Sequence, residues 1–208
     1  MPQPVITIID YGASNLRSVT NAIRRLGYQP LVTGSAKEIA GADAVILPGV
    51  GAAPDTMVSL DKLGLLAPIK EYIAAGRPFL GVCVGLQVLF TSTEEGGGAP
   101  CLDIIPGRVK KLSGDLKIPH MGWNQVKQLV SHPLFRGVPQ TANFYFVHSY
   151  YADPADRSVV IGATDYGQAF ASVIARGSMV ATQFHPEKSG ESGLKIYDNF
   201  IRMAGAGK

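Results

Sequence analysis

The sequence predicts an α/β protein with a mostly parallel central sheet flanked by helices and an added mixed or antiparallel region in its second half. Short apolar runs alternate with helical stripes in the first 90 residues, and this alternation is typical of parallel strands covered on both faces. Beyond residue 140, apolar runs follow one another closely and are separated by glycine-containing turns, as in antiparallel strands.

The first half contains three predicted strands, each followed by a helix. The β-branched, apolar character of the strands indicates burial on both faces, and apolar residues at helical spacing mark the helices. The strands are 5–9, 44–47 and 78–82, and the helices are 16–26, 65–73 and 84–90. Gly27 and Gly76 stand where a helix C-terminus favours a residue that tolerates positive φ.

The second half contains four predicted strands and a closing helix. The strands are 144–147, 158–163, 169–175 and 179–184, and the amphipathic helix covers 194–201. The pairs Tyr166-Gly167 and Arg176-Gly177 supply turns between the last three strands. A mixed or antiparallel arrangement is therefore expected here.

The composition limits the class of protein. Of 208 residues, 46% are hydrophobic and 17% charged, whereas disordered chains are poorer in apolar residues. The length suits one domain over 1–208, with two domains as the weaker alternative. The net charge of +3 is too small to indicate a nucleic-acid partner. No run reaches the roughly 18 apolar residues of a membrane span, and no signal peptide precedes the first strand. We therefore expect a cytoplasmic protein without nucleic-acid or membrane partners.

Gly81-Val82-Cys83-Val84-Gly85 lies where a buried strand passes into a helix. A nucleophile between glycines at a tight strand-to-helix turn is held exposed above the sheet, and the helix N-terminus favours a thiolate. Cys83 is thus a candidate nucleophile, and a buried structural cysteine is the alternative. Nothing comparable surrounds Cys101, which is interpreted as structural.

His185-Pro186-Glu187 supplies the base that a thiol nucleophile requires. Pro186 disfavours the α conformation at His185, and residues two apart in an extended segment face the same side. The Glu187 carboxylate can therefore orient the imidazole, which is the third role in a catalytic triad. The alternative is a histidine at a strand end beside a solvated glutamate.

Acyl transfer also needs donors for an oxyanion. The backbone N–H of Val84 is one candidate, because it follows the nucleophile at the helix start. Val50 and Gly51, in the loop that ends the strand 44–47, are the second. An ordinary strand-to-helix turn is the alternative for this loop.

Metal or nucleotide chemistry is not indicated. The four histidines show no paired spacing and there is no C-x-x-C. Neither a phosphate-binding G-x-x-x-x-G-K-[ST] nor a G-x-G-x-x-G after the first strand is present. The sequence therefore predicts neither a metal nor a cofactor.

Two of these motifs, the stretch 81–87 (GVCVGLQ) and His185-Pro186-Glu187, resemble those of class I, triad-type glutamine amidotransferases. Five stretches, in the same order along the chain, resemble the glutaminase subunits of imidazole glycerol phosphate synthase, an enzyme of histidine biosynthesis. They are 10–16 (DYGASNL), 48–52 (PGVGA), 120–124 (HMGWN), 145–150 (YFVHSY) and 185–189 (HPEKS). Val84 and Leu86 stand where that family more often has Leu and Met, and both changes are apolar.

The resemblance implies a mechanism. Cys83 attacks the side-chain amide of glutamine, His185 takes the thiol proton and returns it to the leaving ammonia, and Glu187 orients His185. Water then hydrolyses the glutamyl thioester to glutamate. The oxyanion would be held by Val84 and the Val50–Gly51 loop, which in the family often needs a peptide flip signalled by the partner. Contacts to the glutamine head group are implied for Gln87, Glu95, Ser149 and Tyr150. For Glu95, a solvated loop acid is the alternative.

The resemblance also implies a partner, because one domain over 1–208 leaves no second domain to use the ammonia. The partner would be the cyclase subunit, a (β/α)8 barrel that forms a heterodimer with this chain and receives ammonia through an internal channel. It would make imidazole glycerol phosphate and an aminoimidazole carboxamide ribotide. Interface residues implied by the family pattern are Asn15, Trp123, Asn124, Tyr145 and Lys188. A core position for Trp123 remains equally compatible with the sequence.

Three other functions stay open at this point. The chain could be the glutaminase subunit of another synthase, such as pyridoxal phosphate synthase, although 120–124 and Lys188-Ser189 disfavour it. It could be a catalytically inactive scaffold that only binds and stabilises a partner, but the presence of Cys83, His185 and Glu187 disfavours this function. A cysteine hydrolase acting on another γ-glutamyl substrate is the third, and the subunit-specific stretches disfavour it.

Overall fold

A computed structural model of the chain describes residues 3–12, 15–114 and 117–205. Ala13 and Ser14, within the stretch 10–16, lie outside the described residues. The helices are α1 (Leu16–Arg25), α2 (Ala36–Gly41), α3 (Ala53–Lys62), α4 (Leu66–Ala74), α5 (Val84–Gln87) and α6 (Gly190–Gly205). The strands are β1 (Ile6–Ile9), β2 (Leu31–Thr33), β3 (Ala44–Leu47), β4 (Phe79–Val82), β5 (Phe90–Thr93), β6 (Ala99–Pro100), β7 (Ile105–Lys111), β8 (His120–Gln128), β9 (Thr141–His148), β10 (Tyr150–Pro154), β11 (Val160–Asp165), β12 (Ala169–Arg176) and β13 (Met179–Thr182).

One half of the sheet is parallel, in the order β2-β1-β3-β4-β13. Every residue of β1, β3, β4 and β13 is buried, as expected for parallel strands covered on both faces. β13 comes from the far end of the chain and pairs parallel to β4, from Met179 opposite Phe79 to Thr182 opposite Val82. The segments that follow these two strands therefore leave the sheet side by side.

The other half of the sheet is mixed. β12 pairs antiparallel with β13, and the sheet continues through β10, β7, β5 and β6, with β5 and β7 parallel. A side branch runs from β12 through β11 and β8 to β9 by antiparallel pairing. The predicted fold class, a mostly parallel sheet flanked by helices with a mixed second half, is confirmed. That 1–208 form a single domain stays a prediction.

Several predicted bounds differ from those observed, and the largest difference concerns the helix 84–90. α5 ends at Gln87, because the chain beyond it enters the sheet. Phe90 pairs with Ile105 of β7, and the Leu102 N–H donates to the Val88 carbonyl at 2.9 Å. Strand pairing outweighed the apolar spacing that predicted a longer helix. No helix within the described ranges is long and apolar enough to cross a membrane.

Candidate active site

Cys83 occupies a strained turn between β4 and α5. Its φ of 55° and ψ of −106° are uncommon for a non-glycine residue and cost about 1–3 kcal/mol. The flanking glycines permit this turn. A Cβ on Gly81 would lie 2.5 Å from the Gly85 oxygen, and one on Gly85 would lie 2.0 Å from the Leu47 oxygen. The predicted nucleophile position is therefore built by backbone packing that no larger residue would allow.

His185 follows β13 in extended backbone and precedes a 3₁₀ turn over Pro186–Lys188. Because β13 runs parallel beside β4, the carboxyl end of each strand brings His185 and Cys83 together. His185 Nδ1 lies 2.8 Å from Glu187 Oε1, and both side chains are buried, 2% and 1% exposed. The Tyr197 hydroxyl on α6 donates to Glu187 Oε2 at 3.2 Å. The carboxylate is thus fixed from two sides.

The electrostatic environment favours a protonated His185. Burial lowers the pKa of His185, but hydrogen bonding and charge from Cys83 and Glu187 outweigh burial and raise that pKa to about 10. His185 Nε2 is buried and makes no hydrogen bond of normal geometry with a described residue, so the Cys83 sulfur is left as its polar neighbour. The arrangement can hold an imidazolium beside a thiolate and deliver the Nε2 proton to a leaving group.

A cavity of about 380 Å³ opens over Cys83 and His185, within the size range of small-molecule sites. Glu187 lies behind His185 and does not line it. Sequence-predicted residues in the wall are Val50, Gly51, Val84, Gln87, Glu95, Ser149, Tyr150 and Lys188. The structure thus brings together the candidate catalytic, oxyanion and substrate-binding residues. Pro119, Val147 and His148 also line the cavity and were not predicted.

The loop after β3 packs directly against the nucleophile turn. A Cβ on Gly49 would lie 2.7 Å from both the Gly85 nitrogen and the Val84 Cβ. Gly51 has a φ of +94°, where other residues are strained. This packing places Val50 and Gly51 beside Val84, whose N–H belongs to the first turn of α5 and has no partner within the helix.

Two candidate substrate residues are tied to the protein by hydrogen bonds. Glu95 lies in a 3₁₀ turn, and its Oε2 accepts from the Ala53 N–H at the start of α3 at 2.8 Å. Gln87 is buried, and its Nε2 donates to the Tyr150 carbonyl at 3.0 Å and to Gln183 Oε1 at 3.3 Å. The Glu95 carboxylate therefore faces the cavity rather than bulk solvent alone.

Sequence reasoning missed three buried polar residues near the nucleophile. Gln183 Nε2 lies 3.7 Å from Cys83 Sγ. His148 Nδ1 lies 2.8 Å from the Tyr150 oxygen, and its Nε2 lies 3.0 Å from His120 Nδ1. Burial, opposed by the Tyr150 carbonyl, lowers the pKa of His148 to about 3. The only sequence signals were that Gln183 precedes His185 by two positions and that both histidines fall in the resembling stretches.

Of the candidate interface residues, Lys188 lines the cavity, and Tyr145 and Trp123 follow it through side-chain contacts. Trp123 is 59% exposed, which rules out the core position. Its ring meets that of Tyr145 edge to face, with centroids 6.2 Å apart. Lys188 Nζ lies 5.6 Å from the centroid of Tyr145. Asn124 bridges the Asp165 carbonyl and His120. Asn15 precedes α1, which packs on the 3₁₀ turn over Pro186–Lys188.

The second cysteine has a different environment. Cys101 is buried and free, and burial, aided by the charge of Glu95, raises the pKa of its thiol to about 11. It therefore stays protonated and unreactive near neutral pH. Among the described residues, no cluster of His, Cys, Asp and Glu is arranged to hold a metal ion.

Comparisons with known proteins show the family of the chain. The family model "Glutamine amidotransferase class-I" matches residues 7–204. The chain is 57% identical over 200 residues to the imidazole glycerol phosphate synthase subunit HisH of Dehalococcoides mccartyi strain CBDB1, covering 96% of this chain and 98% of that one. It is 52% identical over 203 residues to the HisH subunit of Moorella thermoacetica, covering 96% and 97%.

Solved structures share the fold at low sequence identity. A glutamine amidotransferase crystal structure superposes with a TM-score of 0.77 at 17% identity, covering 97% of this chain and 99% of that one. The structure of PurLQS from Thermotoga maritima gives 0.77 at 16% identity over the same shares. The fold follows from these structures and the family from the sequence relatives: the chain belongs to the class-I glutamine amidotransferases, as a glutamine amidotransferase subunit of the imidazole glycerol phosphate synthase type, HisH.

Proposed function

We propose that this chain hydrolyses glutamine to glutamate and ammonia with Cys83, His185 and Glu187, and that it passes the ammonia to a cyclase partner subunit. One observation carries the proposal. The strained turn at Cys83 and the buried pair of His185 and Glu187 meet beneath a cavity of about 380 Å³. Within that pair, His185 Nδ1 lies 2.8 Å from Glu187 Oε1. The HisH family of the chain is consistent with glutamine as the substrate.

The chemistry proceeds in two steps. The Cys83 thiolate attacks the carbon of the side-chain amide, and the His185 Nε2 proton goes to the nitrogen, which leaves as ammonia. A glutamyl thioester remains on the sulfur. Water then gives a proton to His185 and attacks the thioester, so that glutamate leaves and the thiolate returns. Glu187 orients His185 and stabilises the imidazolium.

The cavity wall supplies the binding groups. The Val84 N–H and the Val50–Gly51 loop hold the oxyanion, since both border the sulfur. Peptide rotation in that loop, which Gly49 and Gly51 make possible, would couple the oxyanion hole to partner binding. The Glu95 carboxylate suits the α-ammonium group of glutamine. Gln87 and the backbone at Ser149 and Tyr150 complete the head-group site.

The partner surface is proposed at the cluster of Trp123, Tyr145 and Lys188, which adjoins the cavity through Lys188. Exposed aromatic residues frequently anchor interfaces, and Lys188 belongs both to this cluster and to the cavity wall. Asn15 and Asn124 extend it. We propose that a (β/α)8-barrel cyclase docks here as a heterodimer. The cyclase takes up ammonia before it is protonated in water and makes imidazole glycerol phosphate and aminoimidazole carboxamide ribotide.

The test uses the complex of the chain with a cyclase subunit. Cys83→Ala should abolish glutamine-dependent synthesis and leave ammonia-dependent synthesis unchanged, because the partner carries out the second reaction. Cys101→Ala is the matched control and should retain both activities, since its thiol is buried and protonated. Loss of both activities in Cys83→Ala would contradict the role assigned to that residue.

A second arm of the same experiment tests the partner. Glutamate release is measured for the chain alone, with the cyclase, and with the cyclase and its ligand. Strong stimulation by the loaded partner is expected if the oxyanion loop is set by docking. Equal rates in all three samples would refute the coupling.

A further inference from the structure

We infer that Gln183 is a further catalytic residue, whose side-chain amide donates a hydrogen bond to the Cys83 sulfur and stabilises its thiolate, and that Gln87 holds this amide in the donating orientation. Gln183 is fully buried, and its Nε2 lies 3.7 Å from Cys83 Sγ. The inference deepens the proposed function, since it rests on Cys83 as the nucleophile.

The orientation of both amides is fixed by a backbone carbonyl. The Tyr150 oxygen can only accept, so the Gln87 group that contacts it at 3.0 Å must be the amide nitrogen. The same nitrogen lies 3.3 Å from the Gln183 side chain, which must therefore present its oxygen. The Gln183 nitrogen is left to face the sulfur. Rotating either amide by half a turn would oppose two acceptors or two donors.

A donor at this position favours the ionised sulfur. A thiolate accepts hydrogen bonds and a thiol donates one, and the Val147 carbonyl, 3.9 Å from Sγ, can pair only with the thiol. Gln183 opposes that preference in a buried site where hydrogen bonds to charged groups are strong. Titratable groups that also face the sulfur or line its cavity are Tyr11, Glu95, His148, Tyr150, His185 backed by Glu187, and Lys188.

Gln87 gains a defined role from the same geometry. Its two amide hydrogens are both used, one by the Tyr150 carbonyl and one by Gln183. Toward the cavity it can therefore offer only its oxygen, as an acceptor for an N–H of the ligand. Gln87 is thus a positioning residue for Gln183 as well as a wall of the substrate site.

The test is the pH profile of Cys83 alkylation by iodoacetamide in the full chain, followed by mass spectrometry of the peptide that contains Cys83. Gln183→Met keeps a similar volume and removes the donor. We expect the midpoint of the profile to rise by roughly one pH unit, the size of one charge-assisted hydrogen bond. Gln87→Met should raise it less, and the double variant no further than Gln183→Met. The exposed Gln140→Met is the control and should match the wild type.

A Gln183→Met profile that coincides with the wild-type profile would overturn the inference. If that variant does not fold, as judged by circular dichroism, the wild-type protein provides a second readout. The side-chain amide protons of Gln183 should shift in the NMR spectrum with the same midpoint as alkylation, and an invariant signal would overturn the inference. Alkylation needs neither glutamine nor the cyclase, so this result is independent of whether Cys83→Ala loses glutamine-dependent synthesis.

Discussion

Two buried histidines border the same cavity, and their surroundings favour a charged ring at one and a neutral ring at the other. The pKa of His185 is raised to about 10, whereas that of His148 is lowered to about 3. Burial lowers the pKa of both, because it penalises the imidazolium. The difference must therefore come from the partners of each ring.

His185 has a carboxylate partner and His148 does not. The Glu187 carboxylate lies 2.8 Å from one side of the His185 ring, and the Cys83 sulfur adjoins the other. The polar partners of the His148 ring are a neutral carbonyl, Tyr150, and a second imidazole, His120. A carbonyl fixes the position of a proton but cannot compensate the cost of burying a charge.

The two histidines have different roles in the proposed mechanism, although both line one cavity. In the proposed mechanism, His185 carries the transferable proton next to Cys83. His148 remains neutral, donates from Nδ1 to the Tyr150 carbonyl, and accepts at Nε2 from His120 Nδ1–H. The Nδ1–H of His148 therefore remains the donor to the Tyr150 carbonyl, and the same carbonyl orients Gln87. The proposed mechanism therefore assigns the proton transfer to the charged ring, His185, and the positioning of the Tyr150 carbonyl to the neutral ring, His148.

Removing the anionic partner of His185 should have the largest effect. In Glu187→Gln the ring loses its counter-charge and can adopt the wrong tautomer, so glutaminase activity should fall about 10³–10⁴-fold, as in other triads. The loss of activity is measured as glutamate release in the complex with the cyclase. The exposed Glu71→Gln on α4 should retain wild-type activity. A loss of less than tenfold in Glu187→Gln would show that His185 does not depend on this carboxylate.

The two histidines should also affect stability at opposite ends of the pH range. The pKa of His148 is lowered from 6.5 to about 3 in the folded protein. The unfolded chain therefore binds more protons at this residue between those two pH values, and stability is lost as the pH falls from 6.5 to about 3. The pKa of His185 is raised to about 10. Its contribution to the free energy of unfolding is therefore complete below pH 6.5 and is lost as the pH rises to about 10. Each slope is at most about 1.4 kcal/mol per pH unit.

Imidazole nitrogen NMR of the folded protein measures these states directly. At pH 7, His185 should show two protonated nitrogens and His148 one. The same protonation state for both rings at pH 7 would remove the contrast on which the interpretation depends. Denaturant unfolding at several pH values then gives the two stability slopes.

The three residues of the proposed triad could be picked out from sequence because their signals are local. The glycines around Cys83 and the spacing of His185 and Glu187 are each contained within five residues, and short-range geometry carries their meaning. The segments of Cys83 and His185 meet if the strands before them are neighbours in a parallel sheet. The structure supplies this neighbourhood through β4 and β13.

The scaffold around the triad could not be predicted, because it depends on long-range pairing. His120 meets His148 through the register of β8 and β9, and no spacing in the sequence encodes that register. Gln183 acquires its role from Gln87 and the Tyr150 carbonyl, which lie on separate elements. The helix predicted over 84–90 was wrong at its end for the same reason, since the pairing of Phe90 with Ile105 decides where α5 stops.

The smallest expected effect separates burial from the second imidazole as the cause of the neutral His148. His120→Phe keeps the stacking of the ring at this position on Phe146 and Tyr166 and removes the donor to His148. Burial is the largest cause of the lowered pKa of His148, and the charge of His120 is a lesser one. His148 should therefore stay neutral at pH 7, with an NMR titration midpoint above that of the wild type but still below 6.5. Glutaminase activity should change by about threefold or less, because the donor to the Tyr150 carbonyl is retained. A midpoint at 6.5 or higher would mean that the histidine pair, rather than burial, keeps this wall of the cavity uncharged.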